Sequence, residues 1–165
     1  MSANGGNVSE AIKDSIYRGC LLLDDENWEG FLELCDDAFR YEIKAFSPEI
    51  NYDMTYFEGT KEEISVMLGM LPKHNTDHSP LKRHASVYTI DMENDGDLAS
   101  VVTSLVVYQN LYDGNDSHIE SGVNNLFLIG KYIDKFKLEG SVAKFLEREV
   151  RLDTRRLDKG THYII

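Results

Sequence analysis

The stretch ASVVTSLVVYQNL, from Ala99 to Leu111, decides the fold. It is long, rich in β-branched residues, and apolar at both odd and even positions. Successive side chains of a strand point to opposite faces of the sheet, so this pattern is typical of a strand covered on both faces. The two sets are Val101, Thr103, Leu105 and Val107 on one face, and Val102, Ser104, Val106 and Tyr108 on the other. We therefore expect one face to pack on this chain's own core and the other on a second layer.

Further strands flank this stretch in the sequence. Runs at Leu81–Asp91, Val123–Phe136 and Val142–Leu152 are separated by short turns, so a meander is the simplest topology. Two earlier aromatic-rich runs, Ala38–Phe46 and Ile50–Phe57, predict another antiparallel pair. Together these runs predict about six strands in a mostly antiparallel sheet.

Helical patterns occupy the first half of the chain. We expect residues 1–7 to form a flexible tail. Asn7 and Glu10 have the spacing of a capping box, which predicts that a helix begins at Val8. Spacings of three and four place a set of apolar residues on one face of that helix. The set is Val8, Ile12, Ile16, Cys20 and Leu23.

Two shorter helices complete the pattern. One covers Trp28–Leu34, and the other begins at a capping box formed by Thr60 and Glu63 and is expected to end at Pro72. Early helices and late antiparallel strands predict the α+β class. We expect a single domain over residues 8–165, in which three helices pack inside a strongly curved sheet that forms a cone.

The charge balance limits the classes of partner. Lys and Arg number 17 against 29 Asp and Glu, giving a net charge of −12. Such a surface repels nucleic acid and anionic membranes. No apolar run approaches the roughly 20 residues of a membrane helix, and the N-terminus lacks a signal-peptide pattern. Two cysteines, Cys20 and Cys35, are too few for a disulfide framework, which favours a reduced, cytoplasmic protein.

A short histidine segment offers a candidate metal site. His74, Asp77 and His78 would supply two imidazoles and a carboxylate for iron, provided that the segment is helical. Pro72 and Pro80 flank it and predict a loop, so a polar surface loop is the competing interpretation.

Acid–base catalysis would need a carboxylate or histidine inside the cone, where its pKa is shifted. The candidates are Asp53, His84 and Asp134, and spacing alone does not choose among them. The sequence has no glycine-rich nucleotide loop, no nucleophile elbow and no iron–sulfur cysteine pattern.

The C-terminal third carries the most specific motif. A Gly-x-Tyr-x-Asp strand is followed by a strand with Arg-x-x-x-x-Asp and a further Arg, and these residues are Gly130, Tyr132, Asp134, Arg148, Asp153 and Arg155. Clustered arginines predict either paired carboxylates at a docking surface or solvated surface pairs. With the Arg83-His84 strand start, the length and the element order, the chain resembles the small (β) subunit of Rieske non-haem iron ring-hydroxylating oxygenases.

The resemblance implies a nuclear-transport-factor-2-like fold and a mainly structural role. It implies a partner large (α) subunit that carries the Rieske iron–sulfur cluster and a mononuclear iron, self-association as a trimer, and electrons from a reductase, often through a ferredoxin. No cofactor or catalytic centre is then expected on this chain, and the substrate is aromatic or a sulfonate. The interface candidates that it implies are Arg83, His84, Tyr132, Asp134, Arg148, Asp153 and Arg155.

Three hypotheses follow. A non-catalytic oxygenase subunit predicts a large interface, about 2,000 Å² or more in total. A free-standing enzyme of the isomerase or dehydratase type on the same fold predicts that Asp53, His84 and Asp134 meet inside the cone. A small-ligand binding module predicts an apolar pocket with few titratable groups.

Overall fold

A computed structural model of the chain describes residues 3–74, 79–93, 96–112, 122–157 and 163–165. Its elements are α1 (Ala3–Asp24), α2 (Trp28–Glu33), β1 (Cys35–Ser47), β2 (Tyr52–Thr60), α3 (Lys61–His74), β3 (Leu81–Glu93), β4 (Leu98–Asn110), β5 (Asn124–Glu139) and β6 (Val142–Leu152). The predicted α+β class, with three helices and a six-stranded sheet over the described ranges, is confirmed. None of the helices described is long and apolar enough to cross a membrane.

The helix boundaries agree with the sequence in part. The capping box is confirmed, since the Thr60 backbone N–H donates to Glu63 at 2.8 Å and the Glu63 N–H donates to the Thr60 hydroxyl at 3.3 Å. The predicted stop at Pro72 is wrong, because proline in the last turn removes one backbone bond without ending the helix. The predicted cap at Asn7 is also wrong, because α1 begins at Ala3 and its backbone ladder already includes that residue. The flexibility of residues 1–7 stays a prediction.

The sheet has the strand order β2-β1-β6-β5-β4-β3. The predicted meander of β3 to β6 and the predicted β1–β2 pair are confirmed as antiparallel. The two units are joined by a parallel pairing of β1 with β6, which no local pattern predicted. This joint makes one curved, open sheet whose inner face packs on the helices.

The core lies between α1 and the inner face. Ile12, Ile16 and Cys20 of α1 are buried as the helical spacing predicts, and they face the inner side chains of the sheet. Ile164 and Ile165 are also buried, and the backbone N–H of Ile165 donates to the Tyr41 hydroxyl at 2.9 Å. Ile164 and Ile165 therefore fill part of the interior of the cone.

Candidate functional site

A closed ion pair lies at the centre of the core. Arg148 on β6 and Asp134 on β5 are register partners, and both side chains are fully buried. The Arg148 Nε and Nη2 atoms each donate to one Asp134 oxygen at 2.8 Å. This two-point geometry satisfies both carboxylate oxygens with charge-assisted hydrogen bonds.

Aromatic rings surround the Arg148 guanidinium. Its central carbon lies 3.7 Å from the centroid of the Tyr132 ring, 4.4 Å from that of Phe145 and 5.9 Å from that of Phe31. Cations are attracted to the faces of such rings. Phe31 belongs to α2, so the guanidinium connects the sheet with the helical layer.

Gly130 completes the explanation of the Gly-x-Tyr-x-Asp motif. A Cβ at this position would lie 2.3 Å from the carbonyl oxygen of Arg151 on β6, so only glycine allows the two strands to approach this closely. The three motif residues thus have distinct structural roles. Gly130 lets β5 approach β6 closely, Tyr132 places its ring against the Arg148 guanidinium, and Asp134 is the counter-ion of Arg148.

The electrostatics of the core favour fixed charges over proton transfer. Burial raises the pKa of Asp134, but the charge and hydrogen bonds of Arg148 oppose that shift. Burial lowers the pKa of Arg148, but the Asp134 carboxylate outweighs it and raises that pKa. Burial also raises the pKa of the Tyr132 phenol, and raises that of the Cys35 thiol to about 12. Because Asp134 is held by Arg148 and the phenol and thiol stay protonated, none of them is poised as a general base near neutral pH.

A second buried pair ties α1 to the edge strand β3. The Arg83 guanidinium donates to Asp24 at 2.8 Å and to the carbonyl of Ile164 at 2.9 Å. Asp24 also accepts from the Arg83 backbone N–H at 3.1 Å. Asp24 was not predicted as a partner of Arg83, although its position four residues after buried Cys20 places it on the same helix face.

Ion pairs at the outer face are solvent-accessible. Arg151 donates to both oxygens of Asp53 at 2.9 Å, and Arg155 donates to Glu49 at 2.7 Å. The hydrogen bond from Arg151 lowers the pKa of Asp53, and that from Arg155 lowers the pKa of Glu49 to about 2. Lys131 and Asp153 form a further pair at 3.2 Å.

The structure separates the predicted interface residues into two groups. One group is buried and makes its described contacts within this chain: Arg83, Tyr132, Asp134 and Arg148. The other group is exposed: His84, Asp153 and Arg155. The interface role of the exposed group stays a prediction.

The three cone candidates do not come together. Asp53 lies on the outer face with Arg151, and Asp134 is closed in the core by Arg148. His84 is exposed on β3, where its ring meets that of Tyr108 edge-on at 5.6 Å. No acid–base group assembles from them in the part of the chain that the structure describes.

The described residues offer no metal centre. Over these ranges, no group of three or more His, Cys, Asp or Glu side chains is arranged to hold a metal ion. The side chains of the predicted cluster at His74, Asp77 and His78 lie outside the described residues. The residues described here therefore do not fit an iron centre of the Rieske or mononuclear type.

Comparison with known proteins decides the family. No protein-family model matches the chain. The hydroxylase β subunit of methanesulfonate monooxygenase from Methylosulfonomonas methylovora is 49% identical over 163 residues, which cover 99% of this chain and 90% of that one. The chain belongs to the family of hydroxylase β subunits.

Two further relatives agree with this membership. The β subunit of 2-aminobenzenesulfonate 2,3-dioxygenase from an Alcaligenes species is 28% identical over 152 residues, covering 92% of this chain and 95% of that one. The solved structure of the β subunit of a proposed aromatic-ring-hydroxylating dioxygenase from Novosphingobium aromaticivorans superposes with a TM-score of 0.76. It is 25% identical, with 93% and 94% of the two chains covered. As a hydroxylase β subunit, this chain has the nuclear-transport-factor-2-like fold that its motif implied.

Proposed function

We propose that this β subunit is the non-catalytic part of a hydroxylase that oxygenates an organosulfonate. The observation that carries the proposal is the core of the cone, where Arg148 holds both oxygens of Asp134 among aromatic rings. Such an interior supports a structural role rather than acid–base catalysis. The sulfonate is supported by the names of the two relatives, which specify methanesulfonate and 2-aminobenzenesulfonate.

The iron chemistry belongs to the large (α) subunit in this proposal. A Rieske iron–sulfur cluster and a mononuclear iron on that subunit would receive electrons from a reductase, directly or through a ferredoxin. This chain's part is to hold the large subunit in its assembly.

The assembly is proposed to contain a trimer of this chain with its large subunits in the cytoplasm. On the outer face, Val102 and Val106 are half-buried and Ile133 is exposed. A neighbouring subunit packed on this face would cover these apolar side chains. Cys20 and Cys35 are both free thiols, which supports a reducing compartment.

The test is purification of the tagged chain from its native cells, with the mass, iron and acid-labile sulfide of the complex measured. We expect a larger second chain that brings both iron and sulfide, and oxygen uptake with methanesulfonate when the reductase is supplied. Oxygen uptake with 2-aminobenzenesulfonate instead would keep the organosulfonate class and change only the substrate within it. An iron-free homo-oligomer would overturn the proposal.

The competing enzyme of the isomerase or dehydratase type receives no support from the site. It requires Asp53, His84 and Asp134 in one cavity, and these residues lie on different faces of the sheet. The iron and sulfide measurement separates the two proposals, because such an enzyme would purify without either.

A further inference from the structure

One edge of the sheet is a long strand. Over the described ranges the strand order ends at β3, which has 13 residues. An edge strand presents backbone N–H and C=O groups that can pair with a strand of another molecule, and natural proteins cover or charge such edges. An edge of this length therefore needs protection if the chain is to keep its native association state.

The centre of β3, residues 85–90, has the composition of a strand that pairs with copies of itself. Its sequence, ASVYTI, contains no charge, no proline and no glycine, and four of the six residues are β-branched or aromatic. Such segments form cross-β assemblies when an edge exposes them. Ser86, Tyr88 and Thr89 are exposed here. This edge could thus pair with the same edge of a second copy.

Helix α1 lies beside this edge and holds two of its backbone N–H groups. The N–H of Arg83 donates to the Asp24 carboxylate at 3.1 Å, and that of Val87 donates to the Tyr17 hydroxyl at 3.4 Å. Since successive N–H groups of a strand point to alternate sides, residues 83, 85 and 87 all direct theirs away from β4. A second strand that added to β3 would need these same groups.

The helix contacts the edge at two points rather than along its whole length. A cavity of about 620 Å³ lies between α1 and β3, lined in part by Leu21 and Ala85. The contact at Asp24 is the stronger one, because the Arg83 guanidinium also donates to this carboxylate at 2.8 Å. Tyr17 is 43% exposed, so its contact can be removed with little disturbance of the core.

The second half of the edge is protected by irregular pairing and by charge. The register of β3 with β4 shifts between Val87 and Thr89, which makes Tyr88 a bulged residue. Asp91 follows at an exposed position, and its charge has the sign of the net charge of −12, so two copies would repel each other here. Bulges and charges are common protections of natural edges. The first half, by contrast, depends on α1.

We propose that α1 guards the β3 edge. Tyr17 and Asp24 occupy N–H groups of the edge and so prevent residues 85–90 from pairing with the same segment of a second copy. The guard is a property of this chain and does not depend on the proposed function. The competing interpretation is that the two hydrogen bonds only hold α1 on the sheet, which predicts lower stability but no new association when such a bond is removed.

The test compares the association of the purified chain and its variants by sedimentation velocity over a series of concentrations. Tyr17→Ala uncovers the N–H of Val87, and Tyr17→Phe, which removes the hydroxyl alone, takes its place should the alanine variant not fold. Ser15→Ala is the matched control, because the Ser15 hydroxyl donates to the carbonyl of Ala143 at 2.9 Å and ties α1 to β6. The rescue variant combines Tyr17→Ala with Thr89→Lys, which places a charge in the uncovered segment. Thermal unfolding shows which variants are folded.

We expect Tyr17→Ala to associate beyond the wild-type state at concentrations roughly tenfold lower than the wild type needs, which corresponds to the net value of one hydrogen bond. Ser15→Ala should keep the wild-type state even where it melts at a lower temperature, and the rescue variant should return to that state. A folded Tyr17→Ala that associates like the wild type would overturn the guard. New association in Ser15→Ala, or a rescue variant that still associates, would overturn it too, because either result assigns the effect to lost stability.

Discussion

Arg148 and Arg151 stand on the same strand, and each holds an aspartate with two hydrogen bonds, but they face opposite sides of the sheet. The Arg148–Asp134 pair is closed in the core, with both side chains at 0% exposure. In the Arg151–Asp53 pair the Arg151 side chain is 30% exposed and the Asp53 side chain is 37% exposed. Arg151 also donates to Glu149, so the two arginines differ in burial and in the number of acids that each one holds.

Burial changes what such a pair does. In the core, both charges have lost their water, so each depends on the other and on the rings around Arg148. At the surface, water and salt screen the attraction, and the net stabilisation is small. The inner pair therefore ties the sheet to α2, whereas the outer pair links β6 to β2 at the solvated surface.

The largest expected effect is that of Arg148→Ala. It leaves the buried Asp134 carboxylate without its counter-ion, and we expect the free energy of unfolding to fall by about 3–5 kcal/mol. Urea unfolding followed by circular dichroism measures the change. The matched control is the double variant Arg148→Met with Asp134→Leu, which removes both charges and should recover much of the loss. A single variant as stable as the wild type would show that the inner pair has no structural role.

Gly130→Ala tests the close approach of β5 and β6 beside the inner pair. The added methyl group would lie 2.3 Å from a backbone oxygen of Arg151, so the strands must shift. We expect a loss of about 1–3 kcal/mol in unfolding free energy, as for overpacked sites. Gly69→Ala on α3 is the control, because nothing lies within 4 Å of its Cβ position, and alanine there should stabilise the helix by up to about 1 kcal/mol. Equal effects in both variants would contradict the steric explanation.

Arg151→Ala should have a smaller effect on stability. Because its pair with Asp53 is partly solvated, we expect a loss of no more than about 1 kcal/mol, which shrinks further in high salt. Urea unfolding at low and high salt measures it, with Arg151→Lys as the control that keeps the charge. If Arg151→Ala lowered the free energy of unfolding as much as Arg148→Ala does, burial would not explain the difference between the inner and outer pairs.

The sequence predicts much of the fold because its signals are local. The Thr60–Glu63 box and the β3–β4 and β5–β6 turns each lie within a few residues, and the apolar spacing of α1 repeats every three or four residues. The motif from Gly130 to Asp134 marks the functional centre for the same reason. The contacts of that centre are non-local: Asp24 and Arg83 are 59 residues apart, and β1 joins β6 in parallel. Local patterns could not show that Arg148 and Asp134 pair inside the core rather than with another subunit.

The smallest expected effect concerns Glu49, whose pKa is lowered from its ordinary 4.5 to about 2 by the hydrogen bond from Arg155. A carboxyl group whose folded pKa is lowered contributes stability above its unfolded pKa and loses it as the pH falls through the folded value. Wild type should therefore melt slightly above Glu49→Gln near neutral pH, and the difference should vanish as the pH falls from 4.5 towards about 2. Melting curves of both proteins across this range measure it. A gap that persists at the lowest pH would mean that the β1–β2 turn is held by the shape of residue 49 rather than by its charge.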